Sequence, residues 1–203
     1  MDMVLFATFL NFALITSFTP GPNNLIAMAS GTAFGWRRTV PQMLGIASGV
    51  SSMVLLAALG LEEVIDRWPV ILQIVRILGG LWLMWLAWQF VRAALFSGKS
   101  GQGGITQLGK PLTFLQAAAF QWVNPKAWTM ALTAITVYAA DRSVLAILLV
   151  AAMFAAVCVP CLSVWTLLGQ EMRRFLTNPA RLRAFNWTMA ALLVASLLPV
   201  VYH

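Results

Sequence analysis

Six long apolar runs, separated by short polar gaps, make up almost the whole chain. They cover roughly Met3–Phe34, Val40–Leu61, Val70–Val91, Leu112–Tyr138, Val144–Leu168 and Ala184–Tyr202. An α-helix rises about 1.5 Å per residue, so about 20 apolar residues cross a hydrocarbon core about 30 Å thick. Each run is near that length or beyond it. The pattern predicts an all-α polytopic membrane protein with six transmembrane helices. The polar gaps fall at Gly35–Thr39, Glu62–Pro69, Arg92–Lys110, Ala139–Ser143 and Gly169–Arg183. Within the third, Ser97–Gly109 is rich in Gly, Ser and Gln and reads as a flexible connector. The fifth reads as an interfacial helix interrupted at Asn178-Pro179.

Composition agrees. The 203 residues are 61% hydrophobic and 9% charged, with a mean hydropathy of +0.84. Soluble domains carry roughly 25% charged residues. A water-soluble fold of this size has too little interior to hide so much apolar surface, and disordered chains are polar. The net charge of +7 is no nucleic-acid footprint, because the basic residues are scattered through the gaps instead of forming a patch.

That scatter sets an orientation. Arg37, Arg38, Arg92, Lys99, Lys110, Arg173, Arg174, Arg181 and Arg183 lie in the odd-numbered gaps, and only Arg67 and Arg142 lie in the even ones. The bias puts the odd gaps in the cytoplasm and both termini outside, periplasmic where there is a periplasm. Met1-Asp2-Met3 lacks a positive n-region, so the first span is expected to be retained and not cleaved as a signal peptide. Arg76 lies near the outer end of its span, within snorkelling reach of the interface.

The first and fourth spans are longer than the rest, and each is interrupted near its middle. One interruption is Thr19-Pro20-Gly21-Pro22-Asn23-Asn24 and the other is Asn124-Pro125-Lys126. Proline removes a helical hydrogen bond and clashes with the preceding turn. In lipid the freed backbone groups survive only when buried in protein or lining a watery cavity. Phe9-Leu10-Asn11 precedes Pro20 as Phe114-Leu115-Gln116 precedes Pro125, an offset of 105 residues in this sequence. Three spans per half make the second half run upside down relative to the first. The expected organisation is one transporter domain over 1–203, with inverted repeats at about 1–96 and 111–203 joined by a cytoplasmic linker at about 97–110. Breaks at matching points of inverted halves point to a secondary transporter's binding site.

The residues at the breaks suit an amino acid. A half-helix beginning at Pro22-Asn23-Asn24 directs free amides and a positive dipole end at a carboxylate. Asn23, Asn24 and Asn124 both donate and accept hydrogen bonds. Lys126 is the basic residue set at mid-membrane, where an ion is a functional candidate by default and a substrate carboxylate is its natural partner. The candidate substrate contacts are therefore Thr19, Pro20, Gly21, Pro22, Asn23, Asn24, Asn124, Pro125 and Lys126. Asp2, Glu62, Glu63, Asp66, Asp141 and Glu171 all fall in termini or gaps. Any proton relay would have to use Lys126, the substrate itself, or water at the breaks.

Thr19-Pro20-Gly21-Pro22-Asn23 in a first span resembles the signature of the LysE/RhtB superfamily of bacterial amino-acid exporters. Gly45-Ile46-Ala47-Ser48-Gly49 with Gly60-Leu61, Gly79-Gly80-Leu81-Trp82-Leu83 and Asn124-Pro125-Lys126-Ala127-Trp128 continue the resemblance along essentially the whole chain. The resemblance implies an exporter of amino acids or related metabolites in the inner membrane, driven by the proton-motive force as an antiporter. Its first motif falls on Pro20, Gly21, Pro22 and Asn23, and its fourth-span motif on Asn124, Pro125 and Lys126. Trp82 stands where a tyrosine is commoner in the family.

A second reading uses Cys158-Val159-Pro160-Cys161 as the C-x-x-C of a membrane thiol–disulfide oxidoreductase; a third is a cation transporter. Two cysteines are few for an electron relay, and cysteine is an ordinary apolar filler of buried helices. Gly45-x-x-x-Gly49 allows close helix approach, either inside the monomer or at a homodimer seam. Trp82, Trp85 and Trp88 at helical spacing read as a lipid or packing face. The chain has no phosphate-binding glycine loop and no credible nucleophile–His–acid set, His203 being the lone histidine. It is expected to be no enzyme and to need no cofactor or metal.

Overall fold

The computed structural model describes residues 3–96, 109–140 and 143–198. The expected linker at 97–110 therefore lies almost wholly outside the described residues, as do Asp141, Arg142 and the end of the sixth apolar run. Every regular element among the described residues is a helix: α1 Met3–Phe18, α2 Pro22–Phe34, α3 Trp36–Leu56, α4 Glu62–Arg67, α5 Val70–Phe96, α6 Phe114–Gln121, α7 Pro125–Tyr138, α8 Val144–Met172 and α9 Pro179–Ala195.

Three stretches are long and apolar enough to cross a membrane: Trp36–Gly60, Val70–Phe96 and Val144–Met172. A fourth follows if α1 and α2 form one span bent at its break. The fourth and sixth expected spans differ from this pattern. Trp122–Asn124 divides the fourth into helices of 8 and 14 residues. α9 has 17 residues, about 25 Å at 1.5 Å per residue and short of the hydrocarbon core. Boundaries also move. Only Gly35 separates α2 from α3. The third helix closes through a wide turn at Ala57–Leu61, with Gly60 in the left-handed region at φ 97°, a conformation that favours glycine. Asn178-Pro179 opens a helix instead of interrupting one, because Asn178 Oδ1 accepts from the Ala180 amide at 2.8 Å and proline suits a helix's first turn.

The chain forms two compact units. The first comprises Met1–Thr19, Gln42–Gly79 and Thr113–Leu162. Its interior is apolar and aromatic. Phe9, fully buried, meets Tyr138 at 5.0 Å and Phe154 at 5.2 Å, both edge-on, the geometry that ring quadrupoles favour. Val50, Met53, Val54, Trp128, Ala131 and Ile135 extend the same core. α6 starts at a capping box: Thr113 Oγ1 accepts from the Gln116 amide at 3.3 Å, and Gln116 Oε1 accepts from the Thr113 amide at 3.0 Å. Gly45 and Gly49 let α3 lie against α6. A Cβ on Gly45 would overlap the Phe114 carbonyl, and one on Gly49 would press on Ala118 and Gln121. The small-residue pair is thus used within the chain, where close packing holds helices together without a hydrophobic drive.

The second unit comprises Pro20–Pro41, Gly80–Leu112 and Ser163–His203. α2 is almost wholly buried and crosses α8 closely, Gly31 lying on the Thr166 carbonyl and Gly169 on the Met28 carbonyl. Gln170 Oε1 accepts from the Trp36 amide at 2.7 Å, tying α8 to the start of α3. α9 packs on α2. This interior holds Asn24, Ser30, Thr32, Thr39, Gln89, Thr166 and Asn186 buried. On α5, Leu81, Met84, Trp85 and Trp88 form an exposed apolar stripe, the lipid-type face expected of the tryptophan spacing.

Candidate functional site

Asn124 makes the second break. Its backbone is extended, at φ −91° and ψ 107°, and its Oδ1 accepts from the Lys126 amide at 3.2 Å, capping α7. Asn124 Nδ2 donates to Gln121 Oε1 at 3.3 Å, and Gln121 Nε2 donates to the Ala117 carbonyl at 3.0 Å. Both carboxamides are buried, at 1% and 0% exposure. Trp128 Nε1 donates to the Trp122 carbonyl at 2.8 Å, occupying an acceptor that the interruption frees. Pro125 stands at the first helical position, where its missing N–H is no loss. Gly79 of α5 abuts the turn: a Cβ there would overlap the Val123 carbonyl oxygen and reach Pro125. Polar side chains and a close backbone contact thus hold this interruption in place.

The first break is finished differently. α1 ends at Phe18, and the Thr19 amide and hydroxyl both donate to the Ile15 carbonyl. α2 restarts with Gly21 as its cap residue and Pro22 as its first helical residue, and no side chain caps it. The Gly21 backbone is extended, at φ −168° and ψ 178°. The second turn is joined at once, since the Leu25 amide donates to the Gly21 carbonyl at 3.0 Å.

Lys126 joins the end of α1 to the start of α7. Its Nζ donates to the Thr19 carbonyl at 2.7 Å, a charge-assisted bond to a neutral acceptor. Lys126 is half-buried and Thr19 exposed. Arg174 has a carboxylate, Glu171, at 3.4 Å on the surface; Lys126 instead meets a carbonyl, whose dipole is only partial compensation for a desolvated ammonium.

Of the expected contacts, the structure brings together Thr19, Asn124, Pro125 and Lys126, all in the first unit. Pro20, Gly21, Pro22, Asn23 and Asn24 belong to the second unit. There Gly21, Pro22 and Asn24 are buried, Asn23 is half-buried and Pro20 is exposed. Cys158 and Cys161 are both buried and unbonded to each other, one turn apart on the unbroken helix α8. Trp82 is half-buried, its ring 5.1 Å from that of Trp85.

Sequence reasoning missed three participants. Gln121 holds Asn124, and its signal was a lone carboxamide one turn before it in an apolar run. The Thr19 carbonyl is a backbone group, which leaves no mark in a sequence. Asn186 on α9 is 0% exposed, and neither its Oδ1 nor its Nδ2 has a hydrogen-bond partner among the described residues. A carboxamide buried in that way costs about 2–7 kcal/mol. A polar residue inside the sixth apolar run was the available clue.

The family model described as LysE type translocator matches residues 14–199. A cysteine/O-acetylserine efflux protein of Klebsiella pneumoniae subsp. pneumoniae is 31% identical over 199 residues, covering 96% of this chain and 95% of the relative. Cysteine/O-acetylserine efflux proteins of Escherichia coli strain K12 and Shigella flexneri are each 28% identical over 213 residues, covering all of both chains. No solved structure matches the chain.

Proposed function

The chain belongs to the LysE type translocator family, a transporter and not an enzyme, and from that premise we propose that it exports small zwitterionic amino acids or related metabolites across the bacterial inner membrane. The bond between Lys126 Nζ and the Thr19 carbonyl carries this reading. It sets one fixed positive charge beside one strong neutral acceptor, and an α-amino acid presents the complementary pair. Its carboxylate takes Lys126, and its ammonium takes the Thr19 carbonyl and Asn124 Oδ1. A zwitterion adds no net charge, so the site never has to hold a second unpaired ion in a low-dielectric setting. Pro20, Gly21, Pro22, Asn23 and Asn24, and Pro125 next to Lys126, are our further candidate substrate contacts. The efflux of cysteine and O-acetylserine named for the relatives fits this chemistry.

The wider scheme is part of the same proposal. Six crossings form one domain of two inverted repeats, about 1–96 and 111–203, joined by a cytoplasmic linker at about 97–110. Helices one and four are broken at mid-membrane. Both termini face outward, as the basic gaps indicate. Alternating access is driven by antiport of protons. The test is efflux of labelled O-acetyl-L-serine, L-cysteine and a panel of other L-amino acids from cells with and without the protein. Faster loss of at least one zwitterionic amino acid is expected, and equal loss of all of them refutes the exporter. The same assay on Cys158→Ser/Cys161→Ser is expected to match wild type, because both thiols are buried filler in α8. Loss of efflux there revives thiol chemistry.

A further inference from the structure

One face of α9 is turned inward. Phe185, Asn186, Met189, Ala190 and Leu193 are its buried residues, and four of them fall at the i, i+3, i+4, i+7 spacing of a helix stripe. All are apolar except Asn186, which is 0% exposed and has both carboxamide atoms without a partner among the described residues. Asn124 and Gln121, buried as deeply, bond to each other. Roughly nine in ten buried polar groups are partnered, so a carboxamide with donor and acceptor both open looks beyond the fold for a ligand. α9 packs on α2, a helix that buries Asn24, Ser30 and Thr32 among its apolar residues.

We propose that Asn186 is a binding residue for the transported solute, which carries a donor and an acceptor side by side, as the ammonium and carboxylate of a zwitterionic amino acid do. Oδ1 accepts from the ammonium and Nδ2 donates to the carboxylate. The proposal rests on the exporter reading and concerns a residue of the second unit alone. Packing alone does not account for the residue. Leucine has the same branched shape, though it is larger, and would continue the stripe without leaving polar atoms unbonded.

Two variants and one chemical probe test it. In uptake of labelled O-acetyl-L-serine and L-cysteine by inside-out membrane vesicles, Asn186→Leu is expected to lose roughly tenfold or more of the rate. The purified variant should unfold at the same temperature as wild type or higher. Asn186→Ser, which keeps a donor and an acceptor on a shorter stem, should recover part of the rate with a raised KM. A wild-type rate in Asn186→Leu overturns the proposal. So does a lowered unfolding temperature in Asn186→Leu combined with an unchanged KM in Asn186→Ser, the signature of a structural role.

The probe does not depend on transport. Asn186→Cys, in a chain carrying Cys158→Ser and Cys161→Ser, is treated with the ethylammonium methanethiosulfonate reagent. Labelling of the introduced thiol, slowed by O-acetyl-L-serine, is expected; absence of labelling overturns the proposal. Labelling without any transport by wild type removes the exporter reading and keeps a polar path at Asn186. Transport by wild type without labelling does the reverse.

Discussion

At the break between α6 and α7, Asn124 caps the new helix, Gln121 holds Asn124, and Trp128 takes the Trp122 carbonyl. At the break between α1 and α2, two prolines flank a glycine that offers no side-chain cap. Both interruptions are made by proline, yet the helix after one starts on a side-chain cap and the helix after the other does not. A braced break is a platform that keeps its shape while something binds. A helix start without a side-chain cap presents a positive dipole end that suits an anion. Lys126, standing on the platform, meets the end of α1 through the Thr19 carbonyl. The contrast makes the second break a braced platform that carries Lys126, and the bracing and the proposed ligand chemistry can be broken separately.

The largest expected effect is on transport. Lys126→Gln, one atom shorter, keeps polarity but removes the charge. A hydrogen bond to a charged group contributes about 1.5–3 kcal/mol, so efflux should fall roughly 10- to 100-fold. Removing an ammonium whose partner here is a neutral carbonyl should leave the unfolding temperature in detergent near wild type, because the desolvation penalty goes with it. Efflux measured beside thermal unfolding checks this. A variant that transports normally removes Lys126 from the site, and one that unfolds early makes it a brace like Asn124.

The second break should respond in the opposite sense. Asn124→Ala removes the cap of α7 and the partner of a buried Gln121 oxygen, for a loss of about 1–3 kcal/mol in stability. Gly79→Ala pushes a methyl group into the Val123 carbonyl, which is backbone and moves only with the whole turn. Overpacking of that kind costs about 1–3 kcal/mol, and the Asn124 value should lie at the upper end because a helix cap and a buried hydrogen bond are lost together. Denaturation in mild detergent, read by tryptophan fluorescence, ranks the two. If either variant unfolds with wild type, the second break is not the brace described.

Much of this was legible in the sequence because proline and the asparagine cap act locally. Pro20, Pro22 and Pro125 marked both interruptions, and Asn124 stood one residue before the helix it caps. Lys126 stood out because an ion in an apolar run has few excuses. What stayed hidden depends on neighbours far along the chain. That Gly45 and Gly49 seat α6 is decided by the Phe114 and Ala118 backbones, and the glycine spacing alone is silent on its partner. The sixth apolar run outlasts α9, which ends at Ala195, and the end of that run lies outside the described residues. Asn186 looks like any asparagine until its two open atoms are seen.

The smallest expected change bears most directly on the contrast, because it makes the first break resemble the second. Gly21→Ser gives α2 the side-chain cap it lacks. The extended backbone at Gly21 is open to any residue, and serine exceeds glycine at this position by only a few tenths of a kcal/mol. Stability should therefore rise slightly or not at all. Transport should nevertheless slow, because the new hydroxyl accepts from the amides that would face the substrate carboxylate. The expected pattern is a raised KM with the maximal rate nearly kept, the mark of a group competing for the ligand's place. Gly21 is buried, so Gly21→Ala serves as the steric control: it adds the same Cβ without the hydroxyl. If the alanine variant raises KM as much as the serine variant, space rather than hydrogen bonding governs the first break, and its amides lose their role.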